Sequence, residues 1–298
     1  MGTNLTSLSD AQALVTQIVD NMILRAGSFI VTIYGDVVEP RGGRVWIGNI
    51  IETCSSVGIS ETLVRTAVSR LVSAQQLVGE RGGRRSYYRL TPAAQREFLQ
   101  AARILFEPEE SRGWSFVWLS PTQSEGVSGK LEAAGFAKLS GQWLVGPSAR
   151  LPSESAAVVF EAAGAAASEA LREFAAAHWD LGAHEAAYSR FLALFSPVEH
   201  LLSDGLRVSP DQSLQLRLLL VHQFRHVALR DPGLPREALP TNWIGHRARE
   251  LFVRLYIALS PLADSHVASR FVAEEGPLSP ETPATARRAA RLEHSLRG

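Results

Sequence analysis

Ser60-Glu-Thr-Leu-Val-Arg-Thr-Ala-Val-Ser-Arg-Leu-Val-Ser73, followed by Leu77-Val-Gly-Glu-Arg-Gly-Gly-Arg-Arg-Ser-Tyr-Tyr-Arg-Leu90, is the stretch on which the fold turns. Ser60 has the chemistry of an N-cap, a short oxygen placed to accept from the orphan N–H groups of a helix that starts after it. Leu63, Val64, Ala67, Val68, Leu71 and Val72 recur at helical spacing and are expected on the buried face. Thr62, Arg65, Thr66, Ser69, Arg70 and Ser73 are left on the opposite face. Leu77 onward reads as strand, glycine turn and strand, with Arg81, Arg84 and Arg85 around Gly82-Gly83.

Upstream, Gly58 marks a tight turn, and Trp46, Ile47, Ile50, Ile51 and Cys54 form the apolar face of the preceding helix. Before that, Phe29, Ile33 and Val37 repeat at four-residue spacing until Pro40-Arg41-Gly42-Gly43 ends the helix. Downstream, Thr91-Pro92 opens another helix, threonine as cap and proline at the first helical position. Helix, turn, helix and an arginine-tipped hairpin is the order of a winged helix-turn-helix. A recognition helix must pack one face on its domain and offer the other to base edges in the major groove. Arg65 can fork onto a guanine, and Thr62, Thr66 and Ser69 are short enough to let the helix sit deep. Arg70 lies on the same face. Arg81, Arg84 and Arg85 suit phosphate or minor-groove contact.

The 298 residues suffice for two or three domains with real cores, and 46% apolar against 20% charged residues excludes a largely disordered chain. Thirty basic and thirty acidic residues give zero formal charge, but unevenly: +3 over 1–106, −4 over 107–175 and +1 over 176–298. Residues 60–90 carry six arginines against Glu61 and Glu80, a local excess suited to a polyanion. Only Lys130 and Lys138 are lysines. Arginine's planar fork fits phosphates and carboxylates better than a point charge does. Cys54 alone cannot build a disulfide framework or a multi-cysteine metal site. No stretch reads as signal peptide or membrane span, so the expectation is a cytoplasmic protein without membrane contact.

Beyond residue 106 the pattern changes. Trp114 to Leu119 reads as a strand, Ser128 to Ala134 as a helix ending at Gly135, and Phe136 to Val145 as a strand pair or bent strand stopped by Gly146-Pro147. Ser153 to Ala163 is expected to be helical, and the alanine-rich stretch 162–170 helix or loop. Leu181 to Phe195, Ser213 to Leu229 and Arg247 to Leu259 read as helices, with a proline loop between Arg230 and Pro240. From Glu274 a frayed tail with one short helix is expected. The resulting division is 1–106 for a winged helix domain with a linker helix, 107–175 for a middle domain, and 176–298 for a helical C-terminal domain. The class is α+β, multidomain.

Several motifs together resemble the PaaX family of repressors of phenylacetate catabolic genes. They are Tyr34-Gly-Asp-Val-Val-Glu-Pro-Arg-Gly-Gly43, Val45-Trp-Ile-Gly48, Val64-Arg-Thr-Ala-Val-Ser-Arg-Leu71 and Gly83-Arg-Arg-Ser-Tyr-Tyr-Arg-Leu-Thr91 in the first part. In the last part they are Trp179-Asp-Leu181, His222-Gln-Phe-Arg-His-Val-Ala-Leu-Arg-Asp-Pro-Gly-Leu-Pro235 and Leu239-Pro-Thr-Asn-Trp-Ile-Gly245. The resemblance covers about residues 25 to 260. It implies a winged helix domain, a ferredoxin-like middle domain and a helical C-terminal domain. It also implies an aryl-CoA effector, typically phenylacetyl-CoA, that releases operator DNA. The chain departs from the family pattern where a final strand should follow Glu161, since Ala162-Ala-Gly-Ala-Ala-Ala167 stands there.

A CoA thioester needs cations for its phosphates, a flat apolar surface for adenine and an apolar pocket for the acyl group. The candidates are His222, Arg225 and Arg230 for charge and Trp179, Tyr188 and Trp243 for stacking. The competing structural role for these residues is to tie the proline loop to a helix and to fill the core. A homodimer on double-stranded, inverted-repeat operator DNA is expected, because one winged helix reads few base pairs. An enzyme is the main rival reading, metal-dependent or thioester-acting. His222 and His226 have the i, i+4 spacing of two zinc ligands, but no third ligand accompanies them. His184-Glu185 is followed by Tyr188 where a metalloprotease needs histidine. Gly-x-Ser-x-Gly and a P-loop lysine are lacking, and Cys54 falls on an apolar face. The reading is a regulator, not an enzyme, without cofactor or metal; a different ligand from the aryl-CoA is the remaining alternative.

Overall fold

A computed structural model describes residues 2–107, 113–121, 124–152, 158–163 and 166–297. The chain begins with helices α1 (Gly2–Asp20) and α2 (Ala26–Ile33); a π-turn over Tyr34–Val38 and a 3-10 turn over Glu39–Arg41 extend the second. Strand β1 (Arg44–Trp46) leads into α3 (Ile47–Ser55) and α4 (Glu61–Ser73), then the hairpin of β2 (Leu77–Gly82) and β3 (Arg85–Leu90), then α5 (Pro92–Phe106). The three strands form an antiparallel sheet in the order β1-β3-β2.

Next come β4 (Gly113–Trp118), α6 (Ser124–Ala133), β5 (Ala137–Lys138), β6 (Trp143–Pro147), β7 (Val158–Ala163) and α7 (Glu169–His178). The strands make a four-stranded antiparallel sheet in the order β5-β6-β4-β7. Val117, Leu119 and Leu144 on one face join Leu131 and Phe136 in a core. The last part holds α8 (Leu181–Ser203), α9 (Pro210–Ala228), α10 (Ile244–Arg270), a small hairpin of β8 (Val272–Ala273) and β9 (Gly276–Pro277), and α11 (Pro283–Ser295). The architecture is α+β. Among the described residues, no helix is long and apolar enough to cross a membrane.

The chain divides into two compact units. One comprises Met1–Pro108, Phe191–Arg225 and Arg249–Gly298, the other Glu109–Arg190 and His226–Ala248. The first is pinned by a buried polar cluster. Arg217 Nε donates to Asp36 at 2.8 Å, Tyr256 OH donates to the same carboxylate at 2.8 Å, and Arg217 and Arg41 each reach Asp264 at 2.7 Å. Arg288 donates to Tyr256 OH at 3.1 Å and to the Gly35 carbonyl at 3.0 Å. Asp36 and Arg217 are excluded from water, so each charge depends on its partners to offset desolvation. Burial by itself would lower the Arg217 pKa, but Asp36, Tyr256 and Asp264 outweigh it and hold the group above the ordinary arginine value.

Three expectations are corrected. Val158–Ala163 is strand β7, paired with β4 from Trp118↔Val158 to Gly113↔Ala163, rather than helix. Residues 153–157 of that expected helix lie outside the described residues. The ladder's hydrogen bonds overrule the helical preference of two alanines at its end. β6 ends at Gly146-Pro147, but both residues still lie in it, opposite Ser115 and Trp114, two positions beyond the expected end. The segment after Glu274 is not frayed. Thr282 caps α11 with a reciprocal Thr282–Thr285 capping box, and Thr282 also donates to the Pro40 carbonyl at 2.7 Å.

Candidate nucleic-acid interface and effector region

Gly58, at φ +84°, turns the chain between α3 and α4, a left-handed conformation that glycine adopts without steric cost. The Gly58 N–H donates to the Ser55 carbonyl and the Ile59 N–H to the Cys54 carbonyl, which closes the end of α3. Ser60 caps α4 by accepting from the Leu63 N–H. Val64, Ala67 and Val68 are the buried side chains of α4, and the helix packs on α2 and α3. The expected buried face is too wide. Leu63 is 57% exposed, Val72 is exposed and Leu71 is half-buried. Only about a 100° arc of this short helix meets the rest of the unit, so apolar residues beyond it face solvent.

Thr62, Arg65, Thr66, Ser69 and Arg70 are all exposed. Arg65 is held by Glu61 one turn earlier, at 2.8 Å from Nε and 2.7 Å from the terminal nitrogen. An exposed i, i+4 pair of this kind is worth about 0.3–0.5 kcal/mol, less than a bidentate guanine contact at about 1–3 kcal/mol, so Arg65 is free to exchange partners. The Thr66 hydroxyl donates to the Thr62 carbonyl at 2.9 Å.

The β2–β3 hairpin closes through Gly83 and Arg84, with Gly82 opposite Arg85 and Gly83 at φ +60°. Glycine at the first central position of a two-residue turn matches the twist of the flanking strands. Its charges are unevenly paired. In the body of the hairpin, Glu80 binds Arg44 at 2.7 Å and Arg89 at 2.8 Å, and Arg44 also binds Glu274 at 2.8 Å and Glu275 at 3.2 Å. Those last two glutamates stand at the turn between β8 and β9. At the tip, Arg81, Arg84 and Arg85 are exposed, and among the described residues none pairs with a carboxylate. The Arg85 guanidinium lies 4.7 Å over the Trp46 ring, a stacking contact that leaves its charge uncancelled. Arginines without a carboxylate partner are therefore concentrated on the hairpin tip, whereas on the exposed face of α4 Arg65 is paired with Glu61.

The effector candidates fall in different places. His222, on α9, is buried; its Nδ1 lies 2.9 Å from the Thr32 hydroxyl and its ring meets Phe29 edge to face. Arg225, one turn on, donates to the Ser28 hydroxyl at 2.9 Å and to the Ser28 carbonyl at 3.3 Å. Burial lowers the Arg225 pKa from the ordinary arginine value. Both residues belong to the first unit and join α9 to α2. Trp179, Tyr188, Arg230 and Trp243 belong to the second. Trp179 Nε1 donates to the Gly135 carbonyl at 2.8 Å, and its ring packs against Trp114 and Phe174. Tyr188 is buried edge to face with Trp243, and its hydroxyl donates to Asp231 at 2.5 Å. Asp231 also accepts from the Gly233 N–H at 2.7 Å, which anchors the proline loop. Arg230 is exposed. Cys54 is buried, and burial pushes its thiol up to about 12, far from a nucleophilic thiolate at neutral pH.

Sequence reasoning passes over Trp46 as the platform for Arg85 and Glu274-Glu275 as partners of Arg44. No local pattern supplies the second, since those partners lie 230 and 231 residues apart.

Residues 25–94 match the family described as PaaX-like protein, and residues 179–269 the PaaX-like protein C-terminal domain. The chain is 31% identical over 293 residues to the transcriptional repressor PaaX of Escherichia coli (strain K12), covering 91% of this chain and 90% of that one. Among solved structures it is similar to the uncharacterised protein Rv0674 from Mycobacterium tuberculosis, with a TM-score of 0.44 and 21% identity over 73% of this chain and 89% of that one.

Proposed function

The chain belongs to the PaaX family, and from that premise we propose a DNA-binding repressor of phenylacetate-type catabolic genes that an aryl-CoA thioester, such as phenylacetyl-CoA, releases from its operator. It is a transcriptional repressor of PaaX type and not an enzyme. In this reading α3, the Gly58 turn, α4 and the β1-β3-β2 sheet act as a winged helix-turn-helix. Thr62, Arg65, Thr66, Ser69 and Arg70 face the major groove, and Arg81, Arg84 and Arg85 hold phosphates or the minor groove. The single observation that carries it is the exposed polar stripe of α4 lying in the same unit as a hairpin tip of unneutralised arginines.

Residues 1–106, 107–175 and 176–298 serve as DNA-reading, middle and helical C-terminal parts. A ferredoxin-like middle part is supported by the strand order β5-β6-β4-β7 with every pairing antiparallel. The protein acts in the cytoplasm as a homodimer. Trp179, Tyr188, Arg230 and Trp243 are the effector candidates of one unit, His222 and Arg225 those of the other.

The test is a paired titration. Operator affinity is measured with and without phenylacetyl-CoA, and thioester affinity with and without operator. A ligand acts only through its differential affinity for two states, and the coupling is reciprocal. The expected factor is about 5- to 150-fold, equal in both directions. Arg225→Ala and Arg230→Ala should keep operator binding and lose release. If the thioester binds and neither affinity moves, the effector reading fails. Release by free phenylacetate alone would transfer the role to the acid.

A further inference from the structure

We infer that Leu63 is a specificity-determining residue that reads the C5-methyl group of a thymine; the inference rests on the reading of α4 as the recognition helix. A single exposed aliphatic side chain is ordinary on a protein surface. Leu63 is distinguished by where it stands and by what it does not do. It is the third residue of α4, with its N–H held by the Ser60 cap, so it occupies the first turn. The first turn of a groove-bound helix is the part that meets base edges. Val64, Ala67 and Val68 supply the buried contacts of the helix, and Leu63 remains 57% exposed.

Its position around the helix is equally defined. With 3.6 residues per turn, Leu63 lies one turn before Thr66 and two before Arg70, along one edge of the polar stripe. Arg65 and Val72 bear the same two-turn relation along the other edge. Each edge of the stripe therefore pairs one arginine with one exposed aliphatic. Arginine suits guanine O6 and N7, whereas the thymine methyl is the apolar feature of the major groove and calls for an apolar partner. Leu63 supplies that partner on the edge opposite Arg65. Threonines 62 and 66 carry methyl groups too, and the Thr66 hydroxyl donates to the Thr62 carbonyl. Leucine presents a larger apolar surface than either.

The probe is a DNA duplex selected by the wild-type protein from a random-sequence pool, remade with each thymidine replaced singly by deoxyuridine. Deoxyuridine pairs as thymidine does and lacks only the methyl. Wild type should lose about three- to fivefold affinity at one thymine per half-site, the scale of one buried methyl group. Leu63→Ala should bind the parent duplex about as weakly as wild type binds a duplex with deoxyuridine at that position in both half-sites, and should be indifferent to the replacement in either. The side chain is exposed and alanine favours helix, so the variant keeps its fold, which circular dichroism verifies. Equal deoxyuridine losses in wild type and Leu63→Ala, or no loss at any thymine in wild type, overturn the inference. Arg65→Ala separates it from the reading beneath it. If Arg65→Ala weakens binding while Leu63→Ala behaves as wild type, α4 is the reader and Leu63 is not. If both bind as wild type, α4 is not the reader and the inference falls with it.

Discussion

Arg65 shows how one side chain can be held and yet available. Its pair with Glu61 orients the guanidinium on the first two turns of α4 at an energy of only a few tenths of a kcal/mol. A guanine can displace that glutamate because both charges are exposed and water solvates Glu61 once it is released. Arg65→Ala should therefore lower operator affinity by about 1–3 kcal/mol and relax sequence preference at one position per half-site. Arg84, at the turn of the hairpin, has a different task. Arg84→Ala should weaken specific and non-specific duplexes alike and reduce the slope of log affinity against log salt by about one. Fluorescence anisotropy over a salt series checks both. Operator binding like wild type in both variants would place the DNA-reading surface elsewhere.

At the scale of elements, the polar cluster beneath the π-turn after α2 couples four segments. Asp36 comes from that turn, Arg217 from α9, Tyr256 and Asp264 from α10, and Arg288 from α11. Removing the Asp36 charge leaves the buried Arg217 to share Asp264 with Arg41, and an under-compensated buried charge costs far more than the intact pair contributes. Asp36→Asn should thus destabilise the protein by about 3–5 kcal/mol, read as a lower midpoint in urea. Arg65→Ala, on the exposed face, should shift the same curve by no more than about 0.5 kcal/mol. A loss below about 1 kcal/mol for Asp36→Asn would mean that water relieves the cluster. The β8–β9 turn acts nearby by charge. Glu274 and Glu275 pair with Arg44, and the Glu274 carboxylate also lies against Gly82, beside the hairpin's turn.

For the whole molecule, the proposed reading of DNA by a short helix and one hairpin carries a requirement for symmetry. A single recognition helix contacts few base pairs, and a two-fold dimer doubles the number only if its half-sites fall on the same side of the duplex. Sedimentation at micromolar concentration should show a dimer. The selected duplexes should be inverted repeats whose centres lie about one helical turn, or a multiple of it, apart. A monomer that binds a single half-site tightly would contradict both expectations.

Much of the local structure between α3 and α5 is legible in the amino-acid sequence. Ser60 as cap, glycine at 58 and 83, Pro92 after Thr91 and the arginines at the hairpin tip depend on nearest neighbours and backbone sterics, and sequence carries that information directly. The family likewise shows in contiguous motifs. Periodicity finds the buried side of α4 but not its width, because the arc that meets the rest of the unit is set by neighbouring helices; it puts Leu63 and Val72 inside, and both stand outside. Residues 158–163 hold Val158, Val159 and Phe160, which favour a strand, and pairing with β4 carries that strand on through Ala162 and Ala163. Asp36 and Arg217 stand 181 residues apart, and no local signal can announce such a pair. Local chemistry is written in adjacent residues, whereas the partner of a buried charge or an edge strand exists only once the chain has closed on itself.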